Sequence, residues 1–178
     1  MSDHELIERA RSGEDAAFQV LIERYYRTVQ KFAFQIGVHP SSVEDVTQEV
    51  FLKVYRSISS FSGGTFTTWL YSITLNTARD LIRKEKRQKR NIQAVKEKSK
   101  RKIYGETDSS EDNSKLHEAI KSLPEKYRIP LILHYFHDKT YREVSQVTGD
   151  SETAIKTRVM RARKQLKEWY EKAGVIHE

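Results

Sequence analysis

Thr68, Ser72, Asn76, Arg79 and Arg83 recur three or four residues apart through Phe66 to Lys84, a stretch without glycine or proline. That spacing puts them on one side of a helix. Leu70, Ile73, Thr77 and Leu81 flank the stripe on one side, and Tyr71, Leu75, Ala78 and Ile82 on the other. Hydroxyls, an amide and two guanidiniums between two apolar walls suit holding a nucleic-acid strand. The same pattern fits a core helix whose remaining face is solvated. Just upstream, Phe61, Phe66 and Trp69 lie close to Gly63 and Gly64. Aromatic rings beside positive charge can stack unpaired bases, at roughly 1–3 kcal/mol per base. Glycines let backbone approach a flipped-out base. The alternative is that all three rings are core residues, and for Trp69 that reading is preferred.

Other chemistry is poorly supplied. The chain has no cysteine, which excludes disulfides, thiolate metal sites and a cysteine nucleophile. No phosphate-binding Gly-Lys-Ser loop or Gly-x-Ser-x-Gly elbow is present. His134 and His137 could share one face of a helix, but no third ligand has matching spacing, so a partly buried histidine pair is preferred. We therefore expect no enzyme, no metal and no cofactor.

The 178 residues carry a net charge of +7, with 37% hydrophobic and 32% charged residues. Such a chain is too apolar to be wholly disordered and suits small helical modules with thin cores. Arg83 to Ile103 holds eleven basic and two acidic residues, +9, which leaves the rest of the chain near −2. A polyanionic partner is expected, contacted through particular segments. The polar N-terminus is unlike a signal peptide, and no apolar run approaches a membrane span of about 20 residues. A soluble, cytoplasmic protein without membrane insertion is expected.

Most of the chain reads as helix: Glu5 to Ala10, Asp15 to Ile36, a helix to about Ser57, and the striped helix from Phe66. Ser41 to Glu44 has the Ser-x-x-Glu form of a capping box. Val43, Val46, Val50 and Val54 give the helix after it a core stripe, and Asp45, Gln48, Glu49, Leu52 and Arg56 point elsewhere. That face fits a basic partner protein or plain solvent. Ser122 to Glu125 reads as the cap of a further helix. Thr140 to Glu143 forms another capping box, Gly149 to Ser151 a tight turn, and Glu152 to Lys172 a long basic helix.

The short helix from Tyr141 to Thr148, the turn and the long helix make a helix-turn-helix, with Val144, Val147, Ile155, Val159, Ala162 and Leu166 as shared core. The opposite face presents Thr153, Lys156, Thr157, Met160, Arg161 and Lys164, groups able to reach base edges and phosphates in a major groove. An antiparallel pair with a basic solvated face is the alternative. The expected architecture is all-α: two small helical domains, 1–87 and 115–178, joined by a charged linker, 88–114.

Taken together, the two blocks resemble a known family. Asp45 to Phe51, then Phe66, Trp69, Leu70, Tyr71 and Ile73, then Asn76, Ala78, Arg79, Asp80, Ile82, Arg83 and Lys84, resemble region two of bacterial sigma factors of the extracytoplasmic-function type. Leu123 to Arg128, and Tyr141 to Val144 with Lys156 to Arg163, resemble region four. The resemblance implies that Asp45, Gln48, Glu49 and Leu52 dock on core RNA polymerase, made of β and β′ among its subunits. It implies that the Phe61–Thr65 loop, with Phe61, Ser62 and Gly63, captures a flipped base of the minus-ten element. Asn76, Arg79 and Arg83 would contact the melted strand. Arg142, Thr153, Lys156, Thr157, Arg158, Arg161 and Lys164 would read the minus-thirty-five element as duplex. The linker would pass through the polymerase, the bound protein would sit on the nucleoid, and an anti-sigma factor is an expected partner. Thr148, Asp150, Thr153 and Ala154 depart from the family pattern around the turn, and either Asp150 or Ser151 could cap the long helix. A free-standing helix-turn-helix regulator is the alternative function, and an RNA-binding adaptor a third.

Overall fold

The structure is a computed structural model that describes residues 1–91 and 111–174. Its described residues are helical, without strands: α1 (Asp3–Arg11), α2 (Asp15–Gln35), α3 (Val43–Ser57), α4 (Phe66–Asn91), α5 (Glu111–Ser122), α6 (Glu125–Phe136), α7 (Tyr141–Thr148) and α8 (Glu152–Lys172). They form two compact units, α1–α4 and α5–α8.

The first unit is built around α3 and α4, which pack against each other. The valine stripe on α3 is buried as expected, at 0–3% exposure for all four residues. Opposite it Leu70 and Leu75 are buried to 2% and 1%, and Phe32 of α2 meets Tyr71 edge to face at 5.0 Å. Helix α1 starts two residues earlier than the sequence suggests. Ser2 and Glu5 form a reciprocal capping box, and Asp3 accepts hydrogen bonds from Tyr25 and Arg24 of α2. These bonds fasten the N-terminal helix to the unit.

Two expected caps fail for identifiable reasons. Pro40 opens a 3-10 turn, Pro40–Ser42, in which the His39 Nδ1 accepts from the Ser41 N–H, so no Ser41–Glu44 box forms. Ser42 precedes α3 without capping it and donates instead to the Glu85 carboxylate of α4, at 2.8 Å. At α6, Ser122 donates back to the Ala119 carbonyl, and Pro124 is the N-cap, offering its own carbonyl to Tyr127 and Arg128.

The second unit packs α6 and α7 on α8 around Ile132, Leu133, Val144 and Ile155, all fully buried. The Thr140–Glu143 box forms with both bonds in place. Gly149 takes φ 80°, the left-handed conformation that ends a helix without Cβ strain. Leu166, expected in this core, is only half buried. Helix α4 runs four residues past the expected first-domain boundary, because Arg, Lys, Glu and Gln are strong helix formers. Helix α5 starts inside the expected linker, with Glu111 and Asp112 favourably placed in its first turn. The rest of that linker lies outside the described residues.

Candidate polymerase and nucleic-acid interfaces

Helix α4 turns its buried side, Leu70, Tyr71, Thr74, Leu75 and Ala78, into the first unit. Asn76 and Arg83 are exposed and Arg79 is half buried, on the other side. Arg83 lies 3.7 Å from Asp80 on the same helix. The top of the expected stripe differs. Thr68 is 7% exposed and its hydroxyl has no hydrogen-bond partner among the described residues. Ser72 is half buried and donates to the Thr68 carbonyl at 3.1 Å. The two apolar walls narrow toward the C-terminus, where Leu81 and Ile82 are half buried.

The three aromatics divide. Phe66 is core, at 5% exposure. Phe61 and Trp69 are half buried and stack at 4.8 Å, with Phe66 edge-on to Phe61 at 6.1 Å. Beside them Ser62, Gly63, Gly64 and Thr65 are exposed. Gly63 and Gly64 both adopt φ 75°, so the loop depends on two adjacent left-handed residues. An open glycine loop beside stacked rings can accept a planar base.

On α3, Asp45, Gln48 and Glu49 are exposed, and Leu52 is 49% exposed. Tyr55, which the sequence reading passed over, joins this face at 52% exposure. Its hydroxyl donates to Asp15 at 3.1 Å and its ring meets Phe18 edge to face at 5.0 Å. Its position three residues after Leu52 was the available signal. Glu44 underpins the same face. It accepts from Tyr26, from Gln30 at 2.9 Å and from Gln48 at 3.2 Å. Burial, then the bond to Glu44, pushes the Tyr26 phenol up to about 12, and the Tyr26 bond holds the Glu44 carboxyl below its usual range.

On the second unit Arg142, Thr153, Lys156, Thr157, Arg161 and Lys164 are exposed. Ser151 caps α8, accepting from the Ala154 N–H at 3.1 Å, which decides between the two candidate caps. Asp150 is thereby free to take the Arg158 guanidinium at 2.6 Å. Arg158 is half buried in that pair. An ion pair fills the turn where the family pattern has an apolar contact. Arg161 hydrogen-bonds the Tyr127 hydroxyl, and Lys126 lies 5.0 Å from the ring centroid. Together they hold the phenol below its ordinary range.

His134 is half buried, with Nδ1 2.7 Å from the Lys139 carbonyl and its ring stacked on Tyr141 at 4.4 Å. Among the described residues no group of three or more metal-ligating side chains comes together, and no helix is long and apolar enough to cross a membrane.

The chain matches Sigma-70 region 2 over residues 21–88 and Sigma-70, region 4 over residues 113–166. An ECF RNA polymerase sigma-E factor of Haemophilus influenzae is 29% identical over 178 residues, 93% of this chain and 94% of that one. The sigma-H factor of Pseudomonas aeruginosa is 27% identical over 92% and 91%. Among solved structures, CnrH bound to the cytosolic domain of CnrY superposes with TM-score 0.74 at 24% identity, covering 95% of this chain and 97% of that one. The sigma factor RpoE of Bartonella quintana, bound to the anti-sigma factor NepR, does so with TM-score 0.76 at 24% identity, covering 86% and 96%. A free-standing regulator would account for the second unit alone, whereas both regions are matched here, in order. The chain belongs to the sigma-70 family, as a sigma factor of the extracytoplasmic-function type.

Proposed function

We propose that the chain binds core RNA polymerase, directs it to a specific promoter and helps open the duplex there. Asp45, Gln48, Glu49 and Leu52, with Tyr55 beside them, form the polymerase-docking face. Phe61, Ser62 and Gly63 receive a flipped minus-ten base, and Asn76, Arg79 and Arg83 hold the melted strand. Arg142, Thr153, Lys156, Thr157, Arg161 and Lys164 read the minus-thirty-five duplex. Arg158 takes part by fixing the turn with Asp150. Residues 1–87 and 115–178 thus serve as strand holder and duplex reader, joined by 88–114.

The supporting observation is the pairing, in one chain, of an α4 stripe opposite the core with a basic face on α8. No hydrolysis is needed, because stacked and flipped bases offset the lost pairing. The protein is then a non-enzymatic subunit working in the bacterial cytoplasm. It is held by an anti-sigma factor, as the Bartonella quintana relative is in its complex. The purified chain, added to sigma-free core polymerase on genomic templates, should give initiation from discrete start sites. Absence of both a core complex and specific initiation would reject the reading.

A further inference from the structure

The turn between α7 and α8 carries a negative charge beside a face assigned to DNA. Asp150 precedes Ser151, and the capping bond of α8 is made by Ser151. The backbone around Asp150 is pinned. Gly149 donates its N–H to the Ser145 carbonyl at 2.9 Å, and Asp150 donates its own to the Thr148 hydroxyl at 3.4 Å. The Asp150 carboxylate then takes the Arg158 guanidinium at 2.6 Å, eight residues on. Thr148 and Asp150 both depart from the family pattern, and here they act together. One holds the backbone, and the other aims a carboxylate along α8.

Arg158 stands where a guanidinium could otherwise meet DNA. At 3.6 residues per turn it lies about 60° around α8 from Arg161 and about 40° from Ala162. Arg161 is exposed and Ala162 is buried, so Arg158 marks the flank between the reading face and the core. A helix roughly 10–12 Å across fills a major groove about 12 Å wide, and its flanks face the phosphate walls. The first two turns of α8 carry two cations. Lys156 is exposed, whereas Arg158 is half buried and paired. The pair itself reaches the surface, with side-chain exposures of 28% for Arg158 and 35% for Asp150.

We propose that Asp150 masks Arg158 from DNA phosphate, and so holds down the sequence-independent part of this unit's affinity for duplex. This rests on the sigma-factor reading above. An arginine set on a phosphate displaces about one counterion from the duplex, and a neutral pair displaces none. A phosphate drawn to the remaining N–H groups of Arg158 would also approach the Asp150 carboxylate, and the two negative charges repel. Phosphate contacts position a protein on DNA without reading sequence. With Arg158 masked, a larger share of the binding falls to Thr153, Lys156, Thr157 and Arg161. An apolar side chain in place of Asp150 would leave the guanidinium unmasked.

The test uses the full chain assembled with core polymerase, on promoter fragments taken from the mapped start sites. The minus-thirty-five element is intact in one set and scrambled in the other. Asp150→Asn keeps the shape of the side chain and removes its charge. Its plot of log affinity against log salt should be steeper than wild type by about 0.9, one phosphate contact, on both sets alike. Its gain over wild type should then shrink roughly 3.5-fold between about 50 mM and about 200 mM salt. Asp150→Asn/Arg158→Gln carries neither charge and should return to the wild-type slope. Glu168→Gln makes the same change in net charge at an exposed site ten residues beyond Arg158, and should leave the slope unchanged. An unchanged slope for Asp150→Asn would overturn the inference. So would a shallower one, because Asp150 would then be orienting Arg158 onto DNA. A double variant shallower than wild type would show that Arg158 already holds a phosphate. Glu168→Gln as steep as Asp150→Asn would assign the effect to net charge alone, and either result also overturns the masking. A wild-type chain that gives core polymerase no preference for the intact element rejects the sigma reading itself. Wild-type preference with an unchanged Asp150→Asn slope rejects only the masking.

Discussion

Helices α4 and α8 both present a polar, cationic face, but they are anchored differently. Eight residues of α4 are buried, against Ile155, Val159 and Ala162 on α8. In α4 the polar stripe proposed to hold the strand and the wall of the core share the first half of one helix, from Phe66 to Ala78. In α8 the proposed reading face is carried by a helix held chiefly by one apolar seam. The interiors differ too. Thr47, Thr68, Thr74 and Thr77 are buried in the first unit, and the described residues of the second bury no polar side chain to that degree. Thr47, Thr74 and Thr77 return their hydroxyls to carbonyls four residues back, and Thr77 also accepts from Lys53 at 3.1 Å. On the proposed roles, recognition and folding are therefore coupled on α4 and largely separable on α8.

Three single substitutions and one exchanged pair test this division. The largest effect is expected from Leu75→Ala, which empties a fully enclosed site on α4 at about 2–5 kcal/mol. It should lower the midpoint of denaturant unfolding and remove core binding while minus-thirty-five duplex binding persists. Equal loss of both activities would mean that the units do not divide the work as proposed. Glu49→Lys should weaken core binding by tenfold or more, about 1.4 kcal/mol, without changing unfolding, since its side chain is exposed. A pull-down titration against core polymerase measures this, and an undiminished complex would remove Glu49 from the docking face. Arg161→Ala should cost about 1–3 kcal/mol on the cognate duplex and little stability. An unfolding shift in Arg161→Ala as large as that in Leu75→Ala would place recognition and packing together on α8 after all. The smallest effect is expected from exchanging the Asp150–Arg158 pair, Asp150→Arg with Arg158→Asp. Each single change should cost at most about 1 kcal/mol, and the double should recover most of it. No recovery in the thermal midpoint would show that the two side chains do not act as a pair.

The sequence reads well where structure is local and periodic. The α3 valines, the Thr140–Glu143 box and the α7–Gly149–α8 turn follow from spacing alone. It reads poorly where a partner lies far along the chain. Glu44 has the spacing of a capping residue, yet it serves Tyr26 and Gln30 of α2, and Pro40 had already shifted the backbone. Tyr55 reads as one more polar-tipped residue until Asp15 and Phe18 of α2 are seen to hold it. Asp150 and Arg158 lie on opposite sides of a helix start, so neither periodicity nor capping rules connect them. The docking and promoter roles of particular residues came from the family resemblance. Spacing by itself left Asp45, Gln48 and Glu49 indistinguishable from a solvated face.

The Ser72 hydroxyl has one proton, and it is given to the Thr68 carbonyl. Toward anything outside the helix, Ser72 then offers only lone pairs. Phosphate oxygens and the ring oxygen of deoxyribose likewise only accept. While that bond holds, the Ser72 hydroxyl can accept from a base N–H and has no proton for the backbone of a strand. The guanidiniums further along have the reverse polarity and accept nothing. A strand laid along α4 would therefore meet a one-way gradient, from a side chain that can bond only bases to side chains that can hold phosphate, and would be oriented by it.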